Sequence, residues 1–265
     1  PDYLSGVSLG RVAYETFPLT AENDFLPDLD AIPEETARRA KFIYINYPNN
    51  PTGAVATKAF YEKLVAWAKT YEVGVVSDLA YGALGYQGYE NPSFLSTPGA
   101  KDVGIEFYTF SKTFNMAGWR LAFAAGNDQM IEALNLIQDH LFVGIFPALQ
   151  EAGIAALLDP KSEEAVAQLN ATYDSRRDAF VQAAAKIGWQ AFPSRGSFYA
   201  WMPVPEGYTS ESFADLLLEK VHVAVAPGKG FGPAGDAYVR IGLLVEPERL
   251  VEAVDRIANL HLFNN

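Results

Sequence analysis

The sequence predicts an α/β protein: a mostly parallel sheet flanked by helices, followed by a smaller α+β unit toward the C-terminus. Three observations predict it. In the first half, short runs rich in β-branched and aromatic residues alternate with stretches of helical period. Those runs are apolar at consecutive positions, as strands covered on both faces are. After Gly126 the texture changes to long helical stretches and then to short alternating segments. A chain of 265 residues, 49% of them apolar, has material for one large core or two ordinary ones.

Taken in order, residues 41–46 carry Phe42, Ile43, Tyr44 and Ile45 and read as a buried strand. Pro48-Asn49-Asn50-Pro51-Thr52-Gly53 reads as the loop after it, because Pro, Asn and Gly suit turn backbone. From Thr57, a plausible N-cap, Phe60, Leu64, Val65, Trp67, Ala68 and Tyr71 recur at helical spacing up to Glu72. Residues 73–77, 104–109 and 121–125 are three further apolar strands. Helical period then runs from Asp128 to Leu158, breaks at Asp159-Pro160 and resumes from Ser162 to Ile187. Short apolar segments at 197–202, 221–226 and 237–243 follow, with a helix near 210–220 between them and a closing helix at 247–260. A domain boundary is expected near Pro160. Residues 1–160 would form part of a large domain and residues 161–265 a smaller one entered through the long helix.

Composition narrows the function classes. With 32 Asp and Glu against 20 Lys and Arg the formal charge is −12, and no basic cluster is present to neutralise phosphates, so no nucleic-acid partner is expected. There is no cysteine, which excludes disulfides and thiolate chemistry, and His140, His222 and His261 are too scattered for a local metal motif, so no metal is expected. No apolar run reaches the roughly 18 residues of a membrane span. Asp28, Asp30, Glu34 and Glu35 read as a solvated helix start. Gly228-Lys229-Gly230-Phe231-Gly232 lacks phosphate-loop spacing and reads as a turn with glycines in left-handed positions.

Four segments carry chemistry when read together. Asn50-Pro51-Thr52-Gly53 follows the first strand, Asp78-x-x-Tyr81 the second, Thr109-Phe110-Ser111-Lys112 the third, and Arg120 comes eight residues after Lys112. Open α/β sheets place ligands beyond the carboxyl ends of their strands. Each residue alone has an ordinary reading, as a turn, a helix cap or a surface ion pair. In combination they meet the demands of pyridoxal 5'-phosphate: Lys112 for the covalent link, Asp78 for the pyridine nitrogen, Tyr81 and Asn50 for the ring oxygen, and Thr109, Ser111 and Arg120 for the phosphate. A helix expected to begin near Lys112 would add its dipole.

These motifs, in this order, resemble the class I/II aminotransferases of pyridoxal-phosphate fold type I. The resemblance extends to Ala237-Tyr238-Val239-Arg240-Ile241-Gly242 and Gly196-Ser197-Phe198-Tyr199, and covers nearly the whole chain. It implies that Arg240 and Asn50 bind substrate, that Lys112, Asp78 and Tyr81 are catalytic, and that amino acids and 2-oxo acids are the substrates of a cytoplasmic homodimer. Residues 47–57 and 98–106 look like those of LL-diaminopimelate and bacterial methionine-salvage aminotransferases, the latter more so through Pro1-Asp2-Tyr3 and Asp139-His140-Leu141-Phe142. Conversion of 2-oxo-4-methylthiobutanoate to methionine is therefore one expected reaction. The chain opens on Pro1 with no charged and apolar segments of the signal-peptide kind, so no such precursor is expected; the resemblance implies an N-terminal part before it, which makes the chain by itself an expected inactive fragment. Rival readings are an LL-diaminopimelate aminotransferase, a carbon–sulfur β-lyase of the same fold, and a non-catalytic aminotransferase-like regulatory module.

Overall fold

In the computed structural model, residues 2–263 are described. Pro1 lies outside them. The chain runs α1 (Asp2–Leu9), α2 (Glu34–Arg39), β1 (Phe42–Asn46), α3 (Lys58–Tyr71), β2 (Gly74–Asp78), α4 (Ala100–Val103), β3 (Gly104–Thr109), α5 (Phe110–Thr113) and β4 (Ala122–Gly126). It continues through α6 (Asp128–Leu141), α7 (Pro147–Leu158), α8 (Ser162–Lys186), β5 (Tyr199–Pro203), α9 (Ser210–Val221), β6 (Ala226–Pro227), β7 (Tyr238–Gly242) and α10 (Pro247–Ala258). No described helix is long and apolar enough to cross a membrane.

Two compact units divide these elements. One holds Leu29–Asp174 with Arg195–Ser197; the other holds the residues up to Asp28, Ser175–Ser194 and those from Phe198 onward. The chain thus passes between units inside α8, not at the expected 160/161 boundary. Side-chain partners account for the difference. Asn170 donates to the Ala83 carbonyl and Asp174 accepts from Gln87 N, tying the first half of α8 to the first unit. From Phe180 onward the helix packs into the other unit's core. Phe25 joins that unit by edge-on contacts with Phe192 and Tyr238 at 4.7 and 5.8 Å.

In the first unit the sheet order is β1-β2-β3-β4, with β1–β2 and β2–β3 parallel and β3–β4 antiparallel. The sheet is mixed and mostly parallel. β2 is buried from Gly74 to Ser77, as its unbroken apolar run predicts. β1 departs from the expectation of a buried strand: it is a sheet edge, and Phe42 and Tyr44 are half exposed. α3 forms because Thr57 caps its first turn, accepting from Phe60 N at 3.1 Å, and because Phe60, Tyr61, Leu64, Val65 and Ala68 all fall on the buried side. Each large apolar side chain buried this way contributes roughly 1.5–3 kcal/mol.

Three expected elements come out differently. The stretch from Asp128 to Leu158 is two helices: Val143 and Gly144 take positive φ and Pro147 starts α7, so the chain turns at 142–146. Residues 221–226 do not form a full strand, because His222 ends α9 in a left-handed cap and only Ala226–Pro227 pairs with β7. Of the glycines in 228–232, only Gly232 has positive φ. Gly228 is needed for closeness instead, since a Cβ there would lie 2.1 Å from the Gly235 carbonyl oxygen.

The second unit carries an antiparallel sheet in the order β5-β7-β6. Ala200, Met202, Val239 and Ile241 face a core shared with Phe213 and Leu217 of α9, Leu250, Val254 and Ile257 of α10, and Trp189. The alternate residues, Tyr199, Trp201 and Arg240, point to the opposite face, because strand side chains alternate.

Candidate active site

The parallel pairings align Asn46, Asp78 and Phe107 across β1, β2 and β3, so the loops that carry the chemistry leave the sheet side by side. The loop after β1 is built on two asparagines. Asn46 donates from its amide to the Asp78 carbonyl at 3.0 Å and accepts from Asn50 N at 3.0 Å. Asn49, buried, accepts from Thr52 N and from Thr52 Oγ1, and its amide donates to the Asn46 carbonyl. Gly53 closes the loop at φ 71°, a conformation that costs glycine little, and its N–H donates to the Asn49 carbonyl. Asn50 is thereby held next to the end of β2.

Asp78 is the last residue of β2, and its Oδ1 accepts from Ala80 N at 3.0 Å. That bond shapes the turn that returns Tyr81 to a buried position. Lys112 lies on the single turn of α5, with its Nζ 5.8 Å from the centre of the Tyr81 ring. The aspartate, tyrosine and lysine predicted from sequence therefore meet at one end of the sheet. The helix expected to start near Lys112 is this single turn, already begun at Phe110, and Lys112 stands in its last turn. Its N-cap is Thr109, whose Oγ1 accepts from Ser111 N and lies 2.9 Å from Ser111 Oγ.

Arg120 reaches the same end through strand direction. β4 runs antiparallel to β3, pairing Thr109 with Ala122, and the Leu121 carbonyl accepts from Phe110 N and Thr109 Oγ1. The residue just before Leu121 thus stands beside the hydroxyl pair. Arg120 is exposed, has φ 53°, and donates from Nη1 to the Ala117 carbonyl at 2.9 Å.

Beneath the site lies a buried carboxylate that sequence reasoning missed. Glu106 on β3 accepts from Ser77 Oγ at 3.0 Å, Ser93 Oγ at 2.5 Å and Phe94 N at 2.8 Å. Burial pushes its pKa up, against the lowering effect of those donors. The same surroundings hold the Tyr61 hydroxyl neutral, chiefly by burial and then by the nearby Glu106 charge. A glutamate inside an apolar strand was the available signal. The Asn46 and Asn49 framework had no local signal beyond turn-forming residue types.

In the other unit, Arg240 sits mid-strand on β7, paired with Trp201 of β5. Its Cζ lies 4.2 Å from the centre of the Tyr199 ring and 4.7 Å from that of Phe231. These ring partners also went unread in the sequence.

The donor set at the strand ends of the first unit fits pyridoxal 5'-phosphate. It offers one amine, one carboxylate, a phenol and an amide for the ring, and hydroxyls with a guanidinium for a dianion.

Comparison with known proteins agrees with this chemistry. A family profile described as "Aminotransferase class I and II" matches residues 1–257. The L-glutamine–4-(methylsulfanyl)-2-oxobutanoate aminotransferase of Bacillus subtilis is 56% identical over 263 residues, covering 99% of this chain and 66% of that protein. An LL-diaminopimelate aminotransferase of Moorella thermoacetica is 48% identical over 257 residues, 97% of this chain and 65% of its own length. The apo structure of BacF from Bacillus subtilis superposes with a TM-score of 0.94 at 44% identity, covering 100% of this chain and 67% of that one. The chain spans about two thirds of the length of the curated relatives it matches.

Proposed function

The chain belongs to the class I and II aminotransferases, with the α/β architecture of pyridoxal-phosphate fold type I, and we propose that it serves amino-group transfer between an amino acid and a 2-oxo acid. The observation that carries this reading is the meeting of Lys112, Asp78 and Tyr81 at the carboxyl ends of parallel strands. The large-domain role falls to the unit around Leu29–Asp174 and the small-domain role to the unit that contains β5, β6 and β7.

Pyridoxal 5'-phosphate, when bound, supplies an electron sink for the bond broken at the substrate Cα. The chain's own residues do the rest. Lys112 Nζ would hold the cofactor covalently, and its amine, when free, would serve as general base for the Cα proton. The Asp78 carboxylate would hold a proton on the pyridine nitrogen. Tyr81 and Asn50 bind the ring oxygen. Thr109, Ser111 and Arg120 would hold the phosphate, Arg120 through the planar fork suited to it. By the family resemblance, Arg240 and Asn50 are each assigned to bind substrate, Arg240 as the receptor of its carboxylate.

The identity to the Bacillus methionine-forming enzyme favours 2-oxo-4-methylthiobutanoate as acceptor, and the diaminopimelate relatives favour a second reading with LL-diaminopimelate as donor. A homodimer belongs to the same proposal, supported by exposed apolar side chains at Leu136, Ile137, Leu141 and Phe142 of the α6 region. A cytoplasmic setting follows the family resemblance. The test is Lys112→Ala: turnover should fall at least about a thousandfold, and cofactor should no longer be trapped covalently by borohydride. A variant that keeps both refutes the assignment. A panel of donors against 2-oxo-4-methylthiobutanoate separates the two substrate readings.

A further inference from the structure

One face of the small sheet carries Arg240 among aromatic rings. Arg240 and Trp201 are cross-strand partners, and Tyr199 stands two residues along on β5, so the three side chains share that face. Phe231 comes from outside the sheet, at the end of the turn Gly228–Phe231. It meets Trp201 edge-on with ring centres 6.0 Å apart, and Trp201 stacks on Tyr238 at 5.2 Å. The loop that carries Phe231 is clasped to the start of α9. Lys229 N donates to Ser210 Oγ, Ser210 donates from N and Oγ to Asp236 Oδ1, and Lys229 Nζ pairs with Glu211 at 2.7 Å. Ser210 is fully buried, and Gly228 lies so close to Gly235 that no larger residue fits. Phe231 is therefore held in place by the backbone that carries it.

Resting on the reading of Arg240 as the carboxylate receptor, we propose that Tyr199 and Phe231 are positioning residues that fix the plane of the Arg240 guanidinium for edge-on pairing with the substrate carboxylate. A guanidinium is weakly hydrated and stacks on aromatic faces, whereas its N–H donors lie in its own plane. A ring against a guanidinium face does not consume its N–H donors, and it removes rotamers that would otherwise be lost on binding. An aliphatic residue of similar size fills the space without the ring's attraction for a cation. The two can be told apart.

The experiment compares Phe231→Leu with Phe231→Tyr, and Tyr199→Leu with Tyr199→Phe, in purified holoenzyme. Steady-state kinetics separates KM from kcat, and calorimetry measures binding of 4-(methylsulfanyl)butanoate, which carries the carboxylate but nothing that reacts. The leucine variants should bind about three- to thirtyfold more weakly, with KM raised alike. The aromatic variants should keep parental affinity. Equal losses in leucine and aromatic variants, or no loss in either, overturn the proposal. Arg240→Gln separates the two levels of the argument: unchanged carboxylate affinity there refutes the reading of Arg240 itself. A loss there with parental affinity in Phe231→Leu refutes only the role of the rings.

Discussion

Two cations in this molecule are held in place by different physics. Lys112 stands on one helical turn beside loops whose shape is set by hydrogen bonds: Asn46 and Asn49 brace one loop, Asp78 Oδ1 bends the next, and Thr109 caps the turn that carries the lysine. The Tyr81 ring is centred 5.8 Å from Nζ. Arg240 sits mid-strand, and rings at 4.2 and 4.7 Å flank it. The group assigned to move a proton stands on a short turn beside hydrogen-bonded loops. The group assigned to receive an anion is instead set against aromatic rings.

If that contrast is right, removing polar atoms should hurt the first region and spare the second. The largest expected effect is at Asp78. Asp78→Asn keeps the size but removes the charge that would hold the pyridine proton, and should lower kcat on the order of a thousandfold with the fold intact. Circular dichroism and steady-state kinetics check both parts, and a small loss would remove the electrostatic basis of the contrast.

Glu106 tests the support beneath the same region. Glu106→Ala leaves Phe94 N and two hydroxyls without their acceptor and should cost about 2–4 kcal/mol in urea unfolding. Glu106→Gln keeps an acceptor for Phe94 N and should cost less. The pH dependence has a definite sign. Because burial raises the Glu106 pKa above its ordinary 4.5, the folded state holds this proton more tightly than the unfolded one. Its contribution to stability is greatest below 4.5 and is lost as pH rises through the raised folded value. Glu106→Gln should flatten that part of the stability profile, and an unchanged profile would show the carboxylate is not its source.

The smallest effect is expected on the aromatic face. Trp201 is buried, yet its indole N–H has no hydrogen-bond partner. Trp201→Phe therefore abandons no polar contact and should cost only about 1 kcal/mol of lost packing. A loss as large as that of Glu106→Ala would erase the distinction between the two regions.

Much of the first region is legible in the chain itself. The strand runs, the Thr57 cap and the order of Asn50, Asp78, Tyr81, Lys112 and Arg120 all rest on neighbours close in sequence. The aromatic partners of Arg240 are not legible that way. Tyr199 lies 41 positions before Arg240 and Phe231 nine before it, the distances that residues 199, 231 and 240 set, and no periodicity connects them. Glu106 looked like one more residue of an apolar strand, and only the docking of residues 93–94 over it shows a satisfied buried charge. The unit division inside α8 was equally hidden, because its helical period continues unbroken across Asp174.

The sequence by itself determined which chemical groups are available and on which elements they ride, since residue type, local period and turn chemistry act over a few residues. Only the tertiary structure decided their meeting. Had β4 run parallel to β3, Arg120 would stand at the far end of the sheet from Thr109 and Ser111. The antiparallel pairing of Thr109 with Ala122 brings it to theirs. Strand direction depends on contacts between residues far apart in the chain, and no local pattern encodes it.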